Sequence, residues 1–491
     1  MFTELRAMSR VPHLGAGLVM LLALPLFPAI GAGRVWADVP EAQLPEGTET
    51  QAEPSAAAPP GMLSQARQPG FTEDDWRPQY LGMQATGIEQ HLFPFPSPYS
   101  GAHSLTSAGA SAETDTYGVY LGSQISERLQ AYLDFEMARG TSPGNAVGLG
   151  DLTNGDVVRV GAVNLGEDPY LARGYLRYVV PLGPADDPRA GTQGQLPGPA
   201  ASSRLEFKLG KMAVTDDFDL NRYANSTRTQ FMNWGLFNDT AWDYASDTRG
   251  YTYGLYAAWI TPRWQLRLGE YQMVTFANGN VFDEDLARAH GDNVELTWRA
   301  GGNATALRLL AYQNFGRMGD YADALAAARR NGTTPNVAAD ERPGRRKYGF
   351  GLNVEQPIAA DGETGVFLRL GESDGATETF MFAEVDRLAS FGLQLCGCHW
   401  DRDRDRMGIG IAAADLSDVH RRYLAAGGIG FIVGDGRLNY GEETVAEVYY
   451  RFQIGRYVQV SPDYQYLVNP GYNRDRGPAQ VVGVRLRVYD L

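Results

Sequence analysis

From residue 80 to the last strand, apolar and polar side chains alternate one for one, and this pattern restricts the fold more than any other feature. Leu129, Ala131, Leu133, Phe135 and Met137 share one face of 128–138, with Arg128, Gln130, Tyr132, Asp134 and Glu136 on the other. The same division recurs at 204–210, at 445–454 (Ala446 to Ile454 against Glu447, Tyr449, Arg451 and Gln453) and at 482–488. A period of two is that of a strand with two unlike faces. A soluble sandwich would bury the apolar face, whereas a transmembrane barrel would turn it to lipid and the charged face to a wet lumen.

Three features favour the barrel. The segments run close to ten residues, the length a tilted strand needs to cross a bilayer. Aromatic residues (Trp259, Trp264, Trp298, Tyr457, Tyr464, Tyr466) sit near segment ends, as an interfacial girdle requires. Tight turns such as 261–262 and 455–456 alternate with long excursions at 91–113, 139–167, 215–248, 276–291, 316–345 and 414–442. The fold expected is an all-β, transmembrane antiparallel β-barrel with long outer loops carrying short helices at 322–328 and 418–426. Seventeen candidate segments reduce to an even sixteen when 379–400 is read as one long strand with an outer extension. That places Asp401 to Asp405 on a short periplasmic turn and both ends on the periplasmic side. Residues 181–203, rich in Pro and Gly, are too long for such a turn and are read as an insertion.

The chain has 491 residues, a net charge of −15, 58 Gly, 26 Tyr and two Cys. An acidic chain without a basic stripe argues against nucleic-acid binding, and two cysteines exclude a disulfide scaffold and a four-cysteine zinc site. Residues 1–37 read as a cleaved signal peptide: Arg6 and Arg10 precede the apolar run 14–30, and Val35-Trp36-Ala37 offers a small-x-small cleavage site. The alternative is a membrane anchor, but Pro25 and Pro28 interrupt the run. Residues 38–75 are Pro/Ala-rich and aperiodic, a flexible tail. The barrel domain is expected to occupy 76–491.

Several separated blocks carry a family resemblance: FPSPYSGAHSL (95–105), NGDVVR (154–159), GKMAVTDDFDLNRYANSTRTQFMNWGL (210–236), AWDYASDTRGYTYG (241–254), GDGRLNYGEETVAEVYYRF (434–452) and SPDYQYLVNPG (461–471). In this order the chain resembles the carbohydrate-selective porins of bacterial outer membranes, the OprB type. The resemblance implies a 16-stranded barrel, working as a monomer, that passes glucose-like sugars or polyols by passive diffusion through a constriction of inward-folded loops. It implies outer-membrane lipid around the barrel and recognition of the C-terminal strand by the barrel-assembly machinery. The chain departs from the family at Asp156, where Glu is more usual, and at its end, where Leu491 replaces Phe and Val488-Tyr489 breaks the alternation.

Sugar hydroxyls both donate and accept, so a path of Arg forks and carboxylates suits them. Wall charges such as Arg177, Glu447 and Arg451 either meet the permeant or brace one another, because charges at membrane depth must be paired. Long charged loops are natural constrictions. Glu136, Asp156, Arg159, Asp219, Arg228, Asp247 and Arg249 are the expected constriction residues. An anion-selective or general porin, and a secreted β-rich carbohydrate-active enzyme, are the competing readings. No HExxH or Walker loop is present, and no cofactor is expected. Asp217, Asp219 and Asn221 have the spacing of half a calcium loop but lack its Gly and closing Glu. Cys396 and Cys398, read as positions i and i+2 of one strand, stand near the roughly 7 Å limit for bridging. They are expected to be free or awkwardly bridged, without enough neighbouring ligands for a metal.

Overall fold

A computed structural model describes residues 78–156, 165–300 and 305–491. The expected signal peptide and tail, and Arg159, lie outside the described residues. Sixteen strands close into one antiparallel barrel: β1 (Tyr80–Leu92), β2 (Ala110–Gln124), β3 (Leu129–Gly140), β4 (Tyr170–Pro181), β7 (Arg204–Met212), β8 (Thr252–Ile260), β9 (Trp264–Gln272) and β10 (His290–Arg299), followed by β11 (Ala306–Met318), β12 (Arg342–Pro357), β13 (Gly365–Ser373), β14 (Arg387–Cys396), β15 (Arg406–Asp415), β16 (Glu443–Ile454), β17 (Val458–Val468) and β18 (Ala479–Asp490). β5 (Asp187–Arg189) and β6 (Gly198–Ala200) form a separate two-stranded sheet inside the 181–203 insertion. The cylinder closes where β18 pairs with β1, Val484 opposite Glu89. Closure leaves no unpaired edge, which is what a backbone in hydrocarbon requires.

The alternation sorts the faces as a membrane barrel should. Leu209 on β7 is 62% exposed and Phe350 on β12 is 61% exposed, whereas Arg369, Glu295 and Gln465 point inward and are fully buried. Trp264 and Trp298 oppose each other across β9 and β10 near the rim where β1 starts and β18 ends, the chain-end rim, and Trp259 adds to this belt. The apolar core lies inside the cylinder. Phe218, Phe231, Met232 and Trp242, all from the 213–251 connection, are buried there.

Two expectations are corrected at β14. Residues 379–386 are not an outer extension of the strand, because β14 starts at Arg387. The amides of Phe380 and Met381, which a strand would offer to a neighbour, donate instead to the Asp243 carboxylate at 2.8–3.1 Å. At the other end, the strand stops at Cys396 and Gly397–Trp400 turn as a 3-10 helix. The turn brings the two cysteine Cα atoms to 5.2 Å, within bridging range, and the thiols form a disulfide. A Cβ at Gly397 would collide with the Arg402 carbonyl, so the turn needs glycine there. A third correction concerns the C-terminal strand. Val488 continues the lipid-facing row of Val482, Val484 and Leu486, and the Tyr489 hydroxyl donates to Gln453 Oε1 at 3.1 Å, so the alternation is unbroken.

Both loop helices are present. α1 (Tyr321–Asn331) is capped by the Asp320 carboxylate and ends at Gly332, with φ 65°. α2 (Asp418–Ala425) is capped by Ser417. They meet at buried His420, whose ring stacks on Tyr321 with centroids 4.2 Å apart. Burial opposes the imidazolium, but Asp386 at 3.0 Å and Glu384 at 3.7 Å outweigh it and raise the His420 pKa to about 9. Burial likewise opposes the Asp386 carboxylate, yet His420 lowers its pKa to about 2. The histidine's contribution is complete below its unfolded value near 6.5 and is lost as pH rises through about 9. The aspartate's contribution is lost only as pH falls from about 3.8 toward 2. Hydrogen exchange of the 417–425 amides is therefore expected to accelerate between pH 6.5 and 9 beyond the intrinsic base-catalysed rise. His420→Gln should remove that excess; an unchanged profile in the variant would refute the assignment.

Candidate functional site

The connection between β7 and β8, 213–251, folds into the barrel and is held there by wall charges acting on its backbone. Glu447 accepts the amides of Met232 and Asn233 at 2.6 and 2.9 Å. Glu295 accepts the Asp219 amide and Glu355 the Arg222 amide, each at 2.8 Å. Arg485 donates to the Thr227 and Gln230 carbonyls, and Arg451 to the Thr229 carbonyl at 3.1 Å. A buried amide or carbonyl without such a partner would cost roughly 1–3 kcal/mol.

This scaffold leaves a cavity of about 470 Å³ beside β1 to β4, bordered by Glu136, Asp156, Arg228 and Arg173 among others. Arg228 is its hub. Nε lies 2.9 Å from Asp156 Oδ1, and Nη1 lies 3.2 Å from Glu136 Oε1 and 3.3 Å from the Tyr120 hydroxyl. Glu136 also accepts the Tyr251 hydroxyl at 2.5 Å, and Asp156 accepts the Thr116 hydroxyl at 2.5 Å. Burial disfavours the Arg228 charge, but Asp156 and Glu136 outweigh it and raise its pKa well above the ordinary arginine value. The side chains of Glu136 and Asp156 are 3% and 5% exposed against 19% for Arg228. The carboxylates support; the guanidinium edge meets the lumen.

Two residues along β3 toward the chain-end rim, Asp134 lies 3.3 Å from Arg173 Nη1. Arg173 makes a bidentate pair with Asp216 at 2.6 and 2.8 Å, the geometry that gives Arg–carboxylate pairs their directionality. Asp216 is 34% exposed, the most open of these charges. Above Glu136, the Arg249 guanidinium lies over the Tyr170 ring, 4.4 Å from its centre. Toward the long-loop side, Trp234 and Phe382 stack with centroids 4.8 Å apart, and Tyr244 joins them. These three rings also border the cavity.

Of the residues expected at the constriction, the structure brings Glu136, Asp156, Arg228 and Arg249 to this cavity. The other described ones go elsewhere. Asp219 pairs with Arg369 at 2.9 Å, both side chains buried. Asp247 accepts the Arg249 and Tyr251 amides at 2.9 and 3.1 Å. Burial raises its pKa and those amides oppose the rise. Arg177 braces Glu206 at 2.6 Å, and Glu447 and Arg451 hold the loop as described. The three expected calcium ligands diverge. Asp217 meets Lys208 at 2.6 Å, Asp219 meets Arg369, and the Asn221 amide donates to Asn353 Oδ1 at 2.8 Å. On the chain-end rim, Asp361 supplies the neighbour that His399 lacked in the sequence, at 3.4 Å. Cys398 lies close to both but is oxidised, so the cluster offers no thiolate. Alternation places Arg173 on the inner face, and Asp216 and Tyr251 lie inside the 210–236 and 241–254 blocks, but nothing in the sequence brings these three together.

Comparison with known proteins agrees with this fold. Residues 125–489 match the family model described as carbohydrate-selective porin, OprB family. A curated protein of Acinetobacter baylyi named "Putative porin QuiX" is 24% identical over 306 residues, which cover 58% of this chain and 65% of that protein. The high-pH structure of Pseudomonas putida OprB superposes with a TM-score of 0.61 at 16% identity, covering 84% of this chain and 94% of the other.

Because Asp216 is the most open charge of the group, replacing it should alter ion selectivity without disturbing the fold. In a salt gradient across a planar bilayer, Asp216→Ala is expected to shift the reversal potential toward anion preference. A shift toward cations, or none, would remove Asp216 from the path.

Proposed function

Because the chain belongs to the OprB family of carbohydrate-selective porins, we propose that it is a passive outer-membrane channel for glucose-like monosaccharides or polyols, narrowed at Arg228, Glu136 and Asp156. The observation that carries this reading is the paired hub: one lumen-facing guanidinium held between two buried carboxylates, with tyrosine hydroxyls alongside. Acid and base stand side by side there, so an uncharged permeant meets donors and acceptors together. A phosphate- or anion-selective pore would expose cations without paired acids. Multiple weak contacts let the solute leave as readily as it enters. The stacked Trp234 and Phe382 at the long-loop mouth suit the apolar face of a sugar ring.

Family and fold point to a channel rather than an enzyme. The 1–37 leader fits export through a cleaved signal, and the unbroken lipid-facing row of β18 suits delivery of the last strand to the assembly machinery. The family membership supports a monomeric channel.

Planar-bilayer conductance with a panel of sugars and polyols tests the reading. Glucose or a polyol should block the current in a saturable way. Arg228→Ala should weaken that block about tenfold, the equivalent of one charge-assisted hydrogen bond of about 1.5 kcal/mol. A wild-type current indifferent to every neutral sugar and polyol would refute the proposal.

A further inference from the structure

The 182–203 connection is the longest on the chain-end rim, where the other links are short turns such as 261–263 and 455–457. It is a built hairpin. β5 pairs with β6, Arg189 pairs with Asp187 at 2.9 Å, and Asp186 accepts the Ser202 amide at 2.9 Å. Beyond this stem, the backbones of Thr192 and Gln195 exchange hydrogen bonds at 3.0 and 2.9 Å around a Gln193-Gly194 tip. Gly194 has φ 72°, the left-handed region that glycine enters without strain.

The tip points into the barrel. Leu196 is buried, its amide donates to the Tyr132 hydroxyl at 3.3 Å, and its side chain lies against Gly122. Gln193 Nε2 donates to Asp134 Oδ2 at 2.8 Å. Asp134 is five residues into β3, so at ~3.3 Å per residue and ~45° of tilt the tip reaches roughly 12 Å above the rim. Gln193 and Gly194 border the same cavity as Arg228. A polar, Gly/Pro-rich hairpin left in solvent would need neither contact. Here one buried leucine and one amide fix it in the lumen.

Asp134 therefore joins the hairpin to Arg173, and Arg173 joins Asp134 to Asp216 on the 213–251 loop. These four side chains lie across the path on the chain-end side of Arg228, Glu136 and Asp156. We propose that the hairpin is an inner selectivity element, in which Gln193, Asp134, Arg173 and Asp216 form a second hydroxyl-binding ring that a sugar or polyol crosses on its way to the periplasm. The inference rests on the sugar-channel reading and adds a site to it. A carboxamide both donates and accepts, as a sugar hydroxyl does, and has no charge to trap a neutral solute.

The test uses the full-length protein in planar bilayers, its folding verified by heat-modifiable gel mobility. In one variant a short Gly-containing turn replaces 185–201; the second is Gln193→Ala. The turn replacement should raise single-channel salt conductance about twofold, as removal of a lumen obstruction would. Gln193→Ala, which keeps the hairpin, should weaken glucose or polyol block about fivefold, the equivalent of one neutral hydrogen bond of about 1 kcal/mol. Unchanged conductance on turn replacement would overturn a place for the hairpin in the path. Unchanged block in Gln193→Ala would overturn the ring, whatever the turn replacement does. A wild-type channel that no sugar blocks would overturn the sugar reading itself, and the salt-conductance arm would still decide whether the hairpin narrows the pore.

Discussion

In hydrocarbon a peptide group has no water to fall back on, and the rest of this molecule follows from meeting that demand. Each of the sixteen strands pairs with both its neighbours, and β18 returns to β1 so that no strand is left as an edge. Once the backbone is used in this way, each strand must present alternate residues to lipid and to the lumen. Leu209 and Phe350 go out, and Arg369 and Glu295 go in. The lumen thereby acquires a dense set of charges with little bulk water to solvate them, and each must find a partner. The partners are largely the backbone of the loop that fills the lumen.

That second requirement explains why the wall and the loop are so closely matched. Glu447, Glu295, Arg485 and Arg451 are buried or half-buried on strands, yet their hydrogen bonds go to amides and carbonyls of 213–251. A loop of that length, free in water, would carry a large ordering cost. Here it satisfies the wall while the wall satisfies it, and Phe218, Phe231 and Trp242 pack between them. Arg228 differs from these bracing groups only in that its guanidinium edge remains open to the cavity.

The barrel, its strand number and both loop helices were legible in the sequence. Alternation fixes a face, and the two helices stand where the sequence breaks that alternation at 322–328 and 418–426. Partner choice was not legible, since alternation says which way a side chain points and nothing about what it meets. Glu447, Arg177 and Arg451 were correctly placed on the inner face, but the structure gives them to the loop or to one another. Asp219 and Asp247 sit in the right loop and turn inward to Arg369 and to local amides. Asp216, three residues before Asp219, faces the cavity instead, and no one-dimensional signal separates the two. The start of β14 is hidden for a related reason. Residues 379–386 are apolar enough for a strand, but a carboxylate more than a hundred residues earlier, Asp243, takes the amides of Phe380 and Met381.

The grip of Arg485 on the Thr227 and Gln230 carbonyls joins the last strand of the chain to the segment that carries Arg228. Gln90 on the first strand likewise donates to the Thr153 carbonyl, beside Asn154 and Asp156. The two strands that form the seam thus hold the segments that carry Arg228 and Asp156. A cylinder with its seam open would lack both grips, so the placing of these two residues depends on the meeting of the first and last strands.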